Sequence, residues 1–306
     1  MNDLAGRFTE LAGIDIPLPG KGETRQRWRF LSDVAAEDLA LTKLVESHFD
    51  AVAILHEVGA QGLLAPGQRW AVWAAEPPTA RVSVTDDGVV TGTKAWCSGA
   101  DLVSHGLITA WNDRDQPQLV AFELSQSGIR PIDGAWQAIG MGRVHTPDLA
   151  LDHVSGELVG SAEQYLRRPG FWHGGAGIAA CWYGGILPLA RAVGQRKPGS
   201  YRDAHLGAID IALRSLRSLL IETATRIDRS PEADVMLDAL RVRSAADQTA
   251  RLVLDHAGRA LGAGPLCRDR QVAEHFADLP VFIRQTHAEQ DLAALAAELD
   301  EELWQL

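Results

Sequence analysis

The chain has 306 residues, of which 46% are hydrophobic and 23% are charged, and its formal net charge is -11. A chain of this length can bury a full core, whereas its acidic balance argues against duplex nucleic acid or an anionic membrane as a general partner, because both attract basic surfaces. No apolar run reaches the roughly 18 residues of a membrane span, and the first residues lack the pattern of a secretory signal. We therefore expect a globular, cytoplasmic protein.

The three cysteines, Cys97, Cys181 and Cys267, are far apart in the sequence. None of them has a second cysteine or a histidine at metal-ligand spacing. We interpret them as reduced thiols and predict no metal site.

The first part of the chain has a helical pattern. Between Leu31 and Val58, apolar residues recur at spacings of three and four, at Leu41, Leu44, Val45, Phe49, Val52 and Leu55. Gly59 and Gly62 end this pattern. Residues 1–65 are therefore predicted to form a short helical N-terminal region.

Short apolar or alternating runs, separated by turn residues, follow up to residue 158. The runs are Trp70–Ala75, Val82–Val84, Leu107–Trp111, Leu119–Leu124 and Leu149–Leu151. Asp87-Gly88 and Asn112-Asp113 stand between runs, where hairpins would turn. This pattern predicts a compact antiparallel β-domain over residues 66–158.

Helical spacing returns after Arg168 and predicts a four-helix bundle over residues 159–306. One apolar face consists of Ile209, Leu213, Leu216, Leu220 and Ile227. Ser230-Pro231-Glu232 is typical of a helix start, with proline in the first turn. The last helix is predicted from Leu292, Leu295, Leu299 and Leu303.

The segment Gly92-Thr93-Lys94-Ala95-Trp96-Cys97-Ser98-Gly99-Ala100-Asp101 resembles the flavin-facing strand of the acyl-CoA dehydrogenases, which carries Gly-x-Lys-x-Trp-x-Ser/Thr. The predicted order of helices, β-domain and four-helix bundle is also that of the acyl-CoA dehydrogenase fold, which is an α+β fold. The resemblance implies that FAD is the cofactor, that Trp96 flanks the flavin ring and that Ser98 forms a hydrogen bond with it. The alternative is an amphipathic strand with Trp96 in the core.

Two further segments resemble cofactor-binding motifs of this family. Ala74-Ala75-Glu76-Pro77 stands where the family has its Thr-Glu-Pro turn, so the backbone of Ala75 is implied to contact the flavin, although alanine supplies no hydroxyl. The segment from Arg259 to Gly264 stands where the family has Gln-x-x-Gly-Gly. Gly262 would let the backbone approach a phosphate, and Arg259 would suit its charge, but the same residues also make an ordinary helix-ending turn.

The family's catalytic glutamate is missing. Acyl-CoA dehydrogenation needs a carboxylate that removes a proton while hydride leaves to the flavin. The resemblance places this carboxylate either at Thr286 or near His173-Gly174. His287, His173 and Glu289 are the remaining candidates, and an imidazole can accept or donate a proton near neutral pH.

Each candidate also has a structural interpretation. His287 can cap or decorate the last helix, and the glycines after His173 can serve close helix packing alone. Glu289 can interact with the helix dipole, as glutamates in a first helical turn commonly do. The sequence leaves these alternatives open.

The resemblance implies a flavin-dependent oxidoreductase that acts on a small or medium-sized substrate, which need not be a CoA ester. One alternative is a non-catalytic member, either a subunit that completes a partner's flavin site or a flavin-free ligand-binding protein. Another is a flavin-dependent monooxygenase or N-hydroxylase of the same fold, which needs no glutamate. A homodimer or homotetramer is implied, because the family builds its flavin sites across subunits.

Overall fold

The structure is a computed structural model that describes residues 3–132, 134 and 136–299. Its contacts divide the chain into two compact units. The sheet unit comprises Met1–Ile16, Ala40–Ala138 and Gly142–Phe171, and the helical unit comprises Pro17–Leu39, Ile139–Met141 and Trp172–Leu306. The predicted regions 1–65, 66–158 and 159–306 are contiguous stretches, whereas these units are not, since the N-terminal helices are shared between them.

Eight strands form one sheet in the order β6-β7-β3-β2-β4-β5-β8, and β1 pairs with β4. The strands are β1 Trp70–Trp73, β2 Val82–Val84, β3 Val89–Lys94, β4 His105–Trp111, β5 Pro117–Glu123, β6 Ile129–Ile132, β7 Asp148–Ser155 and β8 Glu157–Val159. Each of the five predicted apolar runs coincides with a strand, although two of them extend past the strand end, to Ala75 after β1 and to Leu124 after β5. The hairpin turn at Asp87-Gly88 is also confirmed, because it joins β2 to β3, which pair antiparallel.

The predicted antiparallel β-domain is confirmed for most strand pairs, but the sheet is mixed. β1 and β2 both run parallel to β4. The other pairs, such as β4 with β5, are antiparallel. A tight turn joins β4 to β5, whereas the chain makes a long excursion through β2 and β3 between β1 and β4, and such a crossover allows parallel pairing.

The core of the sheet unit lies where helix α3 covers the sheet. The sheet contributes Trp70, Leu107, Leu119, Ala121 and Val159, and α3 contributes Ala51, Ile54 and Leu55. The helices of this unit are α1 Leu4–Ala12, α3 Leu39–Glu57 and the short α4 Gln164–Arg167. Burial of these apolar side chains holds β1 and β4 in place. The candidate cofactor residues lie just after strand ends of this sheet: Ala75 follows β1, and Trp96 and Ser98 follow β3.

The helical unit contains the predicted bundle together with α2 Thr24–Glu37. Its other helices are α5 Gly170–Gly194, α6 Ser200–Arg229, α7 Met236–Leu261, α8 Ala263–Arg268, α9 Arg270–Phe282 and α10 Glu289–Ala297. α5 approaches its neighbours through glycines. A Cβ on Gly184 would collide with the backbone of Ser32 in α2, and a Cβ on Gly185 would lie 2.7 Å from a methyl group of Leu39.

Two details of the predicted bundle differ from the structure. α7 begins at Met236 and not at Ser230-Pro231-Glu232, because these residues form a separate turn in which the Ala233 N–H donates to the Ser230 backbone oxygen at 3.0 Å. The Asp234 carboxylate accepts the Met236 N–H at 2.8 Å. In α10 the predicted apolar face is not the buried one, since Leu292 is 42% exposed whereas Asp291 is buried. Leu303 lies outside the described residues.

Among the described residues, α5 is the one helix that is long and apolar enough to cross a membrane, but 67% of its most apolar window is buried inside the protein. This burial is typical of the core helix of a globular protein. The cytoplasmic location stays a prediction.

The segment Ile139–Met141 packs on α9 within the helical unit. The Met141 N–H donates to the side chain of Asp278, and burial raises the pKa of that carboxyl group. Gly140 packs so closely that a Cβ there would collide with the backbone oxygen of Ala277. A glycine is therefore required at position 140.

We expect Gly140→Ala to lower the free energy of unfolding by about 1–3 kcal/mol, as overpacking in a core does. Chemical denaturation followed by circular dichroism measures this. The control is Gly207→Ala, which lies in α6 with nothing within 4 Å of its Cβ position and should stabilise the protein by up to about 1 kcal/mol. An unchanged unfolding free energy in Gly140→Ala would contradict the close packing.

Candidate functional site

The flavin-strand motif does not continue as a strand. β3 ends at Lys94, and Trp96 has a φ of 57°, in the left-handed region. The Trp96 N–H donates to Asp148 Oδ1 at 2.9 Å, and the Cys97 N–H donates to the backbone oxygen of Pro147 at 2.8 Å. The prediction of a strand through residue 101 is therefore wrong, because positive φ turns the chain out of the sheet and the 145–148 segment supplies its hydrogen-bond partners.

Trp96 is 48% exposed, which rules out the alternative that it is a core residue. Its half-exposed indole offers a large flat apolar surface next to polar groups. The Ser98 backbone oxygen accepts the Trp73 indole N–H at 3.1 Å, and the Ser98 and Thr146 hydroxyl oxygens are 3.2 Å apart. Since a hydroxyl has one donor and two acceptor positions, Ser98 keeps capacity for a ligand.

Ala75 follows β1 by two residues. Trp73, the last residue of β1, is bonded to Ser98. Trp73 thus connects the end of β1, which leads to Ala75, with the segment of Trp96 and Ser98 within the sheet unit.

Lys94, the lysine of the motif, is buried in the sheet unit, and its ammonium group faces another strand. Its Nζ donates to the Thr109 hydroxyl at 2.9 Å and to the Thr109 backbone oxygen at 3.0 Å. Burial lowers the pKa of Lys94 to about 8, although the charges of Glu76 and Cys97 oppose this. Burial likewise raises the pKa of the Cys97 thiol well above its usual range. The lysine of the motif therefore has a structural role, its hydrogen bonds to Thr109 of β4, which was not predicted from the sequence.

Thr286 stands at one of the family's glutamate positions, and its hydroxyl group is engaged in hydrogen bonds with nearby residues. Its hydroxyl oxygen accepts the Ala288 N–H at 3.2 Å and lies 3.1 Å from Asp291 Oδ2. Asp291 Oδ2 also accepts the His287 N–H at 3.1 Å. Asp291 was not among the predicted site residues, although an aspartate in a first helical turn shortly after a threonine is typical of a helix N-terminus.

His287 is exposed, with 73% of its side chain accessible, and its Nδ1 is 3.4 Å from Asp291 Oδ1. The carboxylate therefore faces Nδ1, which leaves Nε2 as the atom available for proton exchange. Glu289 is exposed in the first turn of α10. His287 is thus the one of these two candidates that has a buried carboxylate as its partner.

His173 is buried at 4% exposure in the first turn of α5. Gly20 covers its ring: a Cβ on Gly20 would lie 3.3 Å from His173 Cε1 and 3.1 Å from Pro231. The structure nevertheless brings the two candidate histidine segments together, because Arg243 of α7 donates both to the Gly175 backbone oxygen and to the Gln285 backbone oxygen. Arg243 was not among the residues predicted from the sequence.

Arg259 and Gly262 end α7. Arg259 is 57% exposed and pairs with Asp255 at 2.5 Å, and Gly262 has a φ of 64° with open space at its Cβ position. His256 Nδ1 lies 3.0 Å from His205 Nδ1 of α6. The last turns of α7 and the first turns of α6 therefore lie at the same end of the helical unit.

The three cysteines, all within the described residues, form no disulfide: Cys97 and Cys181 are buried and Cys267 is exposed. Within residues 3–132, 134 and 136–299, no group of three or more histidine, cysteine, aspartate or glutamate side chains is placed to hold a metal ion.

No protein-family model matches the sequence, and no curated protein matches it. Solved structures do match. Butyryl-CoA dehydrogenase from Megasphaera elsdenii has a TM-score of 0.79 at 15% identity, covering 97% of this chain and 98% of that chain. A glutaryl-coenzyme A dehydrogenase in complex with glutaryl-CoA has a TM-score of 0.81 at 16% identity, covering 96% and 83%.

TdsC from Paenibacillus sp. A11-2, in a complex with FMN and indole, has a TM-score of 0.75 at 16% identity, covering 88% of this chain and 81% of that chain. These similarities show that the chain has the acyl-CoA dehydrogenase-like α+β fold. The predicted fold class is confirmed, with the correction that the sheet is mixed.

The lowered pKa of Lys94 makes stability depend on pH. In the folded protein burial lowers the pKa of Lys94 to about 8, whereas in the unfolded chain this pKa keeps its ordinary value of 10.5. The unfolded state therefore binds more protons between these values, and this group raises stability as pH rises across that window, by about 3 kcal/mol in total. Urea denaturation of the wild type and of Lys94→Met at several pH values measures the difference. Parallel pH dependences of the two proteins would contradict the assignment.

Replacement of Asp291 tests the local structure around Thr286. We expect Asp291→Ala to destabilise α10 by about 1–3 kcal/mol, because the buried Thr286 hydroxyl and the His287 N–H lose their acceptor. Hydrogen exchange of the α10 amides reports this. The matched control Glu289→Ala removes an exposed carboxylate of the same turn and should cost at most about 1 kcal/mol. Equal effects of the two variants would contradict the role of Asp291.

Proposed function

We propose that the protein is a flavin-dependent oxidoreductase that acts on a small or medium-sized substrate. The observation that supports this most is the half-exposed indole of Trp96, held at positive φ beside Ser98 on an acyl-CoA dehydrogenase-like fold. A core tryptophan would need no such arrangement. Exposure of a large aromatic side chain next to convergent polar groups is typical of a binding site.

The residues of the sheet unit fit a flavin ring. A flavin needs a flat apolar flank and polar groups at its ring nitrogens and carbonyl oxygens. Trp96 supplies the flank, the Ser98 hydroxyl supplies a polar group, and the backbone next to Ala75 supplies another. Exposed Arg259 and the open turn at Gly262 suit a phosphate, so FAD is the flavin that we propose.

A bound flavin accepts a hydride or, when reduced, reacts with oxygen. The chain's own residues would bind and orient the ring through Ser98 and exclude water from one face through Trp96. His287 would take up or release a proton at Nε2, while Asp291 faces its Nδ1 and fixes the ring orientation. His173 and Glu289 are the other candidates for this proton transfer, with His173 requiring that the cover formed by Gly20 move aside.

Monooxygenation is a second candidate function, and one observation favours it. Thr286 occupies a family glutamate position and is already engaged with Asp291 and Ala288, so no carboxylate stands at that position to remove a proton from a thioester. TdsC, described as a dibenzothiophene monooxygenase, matches this fold with a TM-score of 0.72 at 18% identity. A non-catalytic role is not favoured by these neighbours. The resemblance further supports a cytoplasmic homodimer or homotetramer.

The decisive experiment is purification followed by visible absorption spectroscopy. A yellow protein whose flavin is reduced by a substrate or by a reductase fed with NAD(P)H supports the enzyme. Oxygen consumption that is coupled to substrate hydroxylation separates the monooxygenase from a dehydrogenase that needs another electron acceptor. A colourless protein that takes up neither FAD nor FMN would contradict the proposal.

Substitutions at the proposed ring site should weaken flavin binding. We expect Ser98→Ala to reduce affinity by about tenfold, through the loss of one hydrogen bond, and Trp96→Ala to reduce it by about tenfold or more, through the loss of an aromatic flank. Flavin fluorescence titration measures both. Ser83→Ala, which removes an exposed hydroxyl from β2, should bind flavin like the wild type, and undiminished affinity in both site variants would refute the assignment.

A further inference from the structure

Arg243 connects the two segments that carry the candidate histidines. Its Nη1 donates to the backbone oxygen of Gly175 at 3.0 Å, and its Nη2 donates to the backbone oxygen of Gln285 at 2.6 Å. Gly175 lies two residues after His173 on α5, and Gln285 lies two residues before His287. One guanidinium group of α7 thus holds both segments.

We propose that Arg243 is a positioning residue of the reaction centre, one that fixes where the imidazoles of His173 and His287 stand relative to each other. This inference rests on the proposed function, in which a histidine handles the proton. It assigns Arg243 no contact with the substrate or the cofactor.

The planar fork of arginine suits this role. Two forked N–H groups can bind two carbonyl oxygens at fixed relative positions, which the single ammonium group of a lysine cannot reproduce. The plane of the fork is itself held, because Arg243 Cζ lies 5.3 Å from the ring centroid of Trp182, whose side chain is fully buried. A cation over an indole face is attracted to it, so rotation of the guanidinium is restricted.

Other arginines of α7 differ from Arg243 in what they hold. Arg241 lies 3.9 Å from Asp238, and Arg259 pairs with Asp255, both within one turn of the same helix. Such local pairs near the surface contribute little to stability. Arg243 instead binds backbone oxygens of two segments outside its own helix. This arrangement is expected of a residue that fixes the relative position of those segments.

Two residues that Arg243 contacts, Trp182 and Gln285, carry buried polar atoms that support a function beyond packing. Within the described residues, neither the indole nitrogen of Trp182 nor the side-chain oxygen of Gln285 has a hydrogen-bond partner. Buried polar groups are paired in the great majority of cases, and exceptions are often associated with functional sites. Arg243 contacts both residues, so its surroundings contain buried polar atoms whose hydrogen-bonding capacity is not met within the described residues.

The test compares Arg243→Met and Arg243→Lys with Arg241→Met as the matched control on the same helix, since Arg241 has a local partner, Asp238, within its own helix. Circular dichroism and thermal unfolding first establish which variants fold. We expect hydrogen exchange of the amides from Gln285 to Asp291 to accelerate about tenfold in Arg243→Met and less in Arg243→Lys, with no change in the control. We also expect the NMR shifts of both imidazoles, His173 and His287, to move in the Arg243 variants alone.

Turnover gives the functional readout in the flavin-loaded enzyme. A misplaced proton-transfer group should lower kcat by about 100-fold while KM changes less, and guanidine added to Arg243→Met should restore part of the rate. If Arg243→Met does not fold, Arg243→Lys alone carries the test, since it keeps the charge and removes one arm of the fork.

Imidazole shifts that stay unchanged in a folded Arg243 variant would overturn the inference. This outcome is distinct from failure of the proposed function, because the exchange and NMR measurements are made on the protein as purified and do not require flavin. Absence of flavin uptake by the wild type would refute the proposed function. The NMR shifts of the two imidazoles would still show whether Arg243 positions the histidines.

Discussion

The close approach of α2 to the glycines of α5 is the constraint on which the helical unit depends. Gly184 leaves room for the backbone of Ser32, and a Cβ on Gly177 would lie 3.1 Å from Trp28 Nε1. Close packing of this kind tolerates little added volume. Because α5 also carries His173 at its start and Trp182 in its middle, the same glycines that let α2 join the unit determine where these functional candidates stand.

Local patterns predicted most of the elements, because the residues that form a strand or a hairpin are neighbours in sequence. The Asp87-Gly88 turn and the apolar runs on β4 and β5 are of this kind. The place of α2 was not predictable in this way, since its partners on α5 are about 150 residues away, as Ser32 and Gly184 show. The parallel pairing of β1 with β4 likewise depends on the path of the chain between them and not on either strand.

The candidate site shows the same division. The motif identified Trp96 and Ser98, but a pattern of residue types cannot show that Trp96 adopts positive φ, because the reason lies in the carboxylate of Asp148. Asp291 and Arg243 were not predicted, and each acts on backbone groups, Asp291 on His287 and Arg243 on Gly175 and Gln285. The contacts of Arg243 join segments far apart in the sequence and leave no spacing signal, whereas the contact of Asp291 is local and matches the ordinary pattern of a helix N-terminus.

The uneven burial of the three thiols has a practical consequence. Cys97 and Cys181 are enclosed in the protein, and the thiolate of Cys97 is further disfavoured by its surroundings, whereas Cys267 is exposed on α8, five residues beyond Gly262. Since alkylation requires an accessible thiolate, a maleimide dye would attach selectively at Cys267 in the native protein. The chain thus carries a built-in attachment point for a fluorophore beside the turn at the end of α7, without any engineered cysteine.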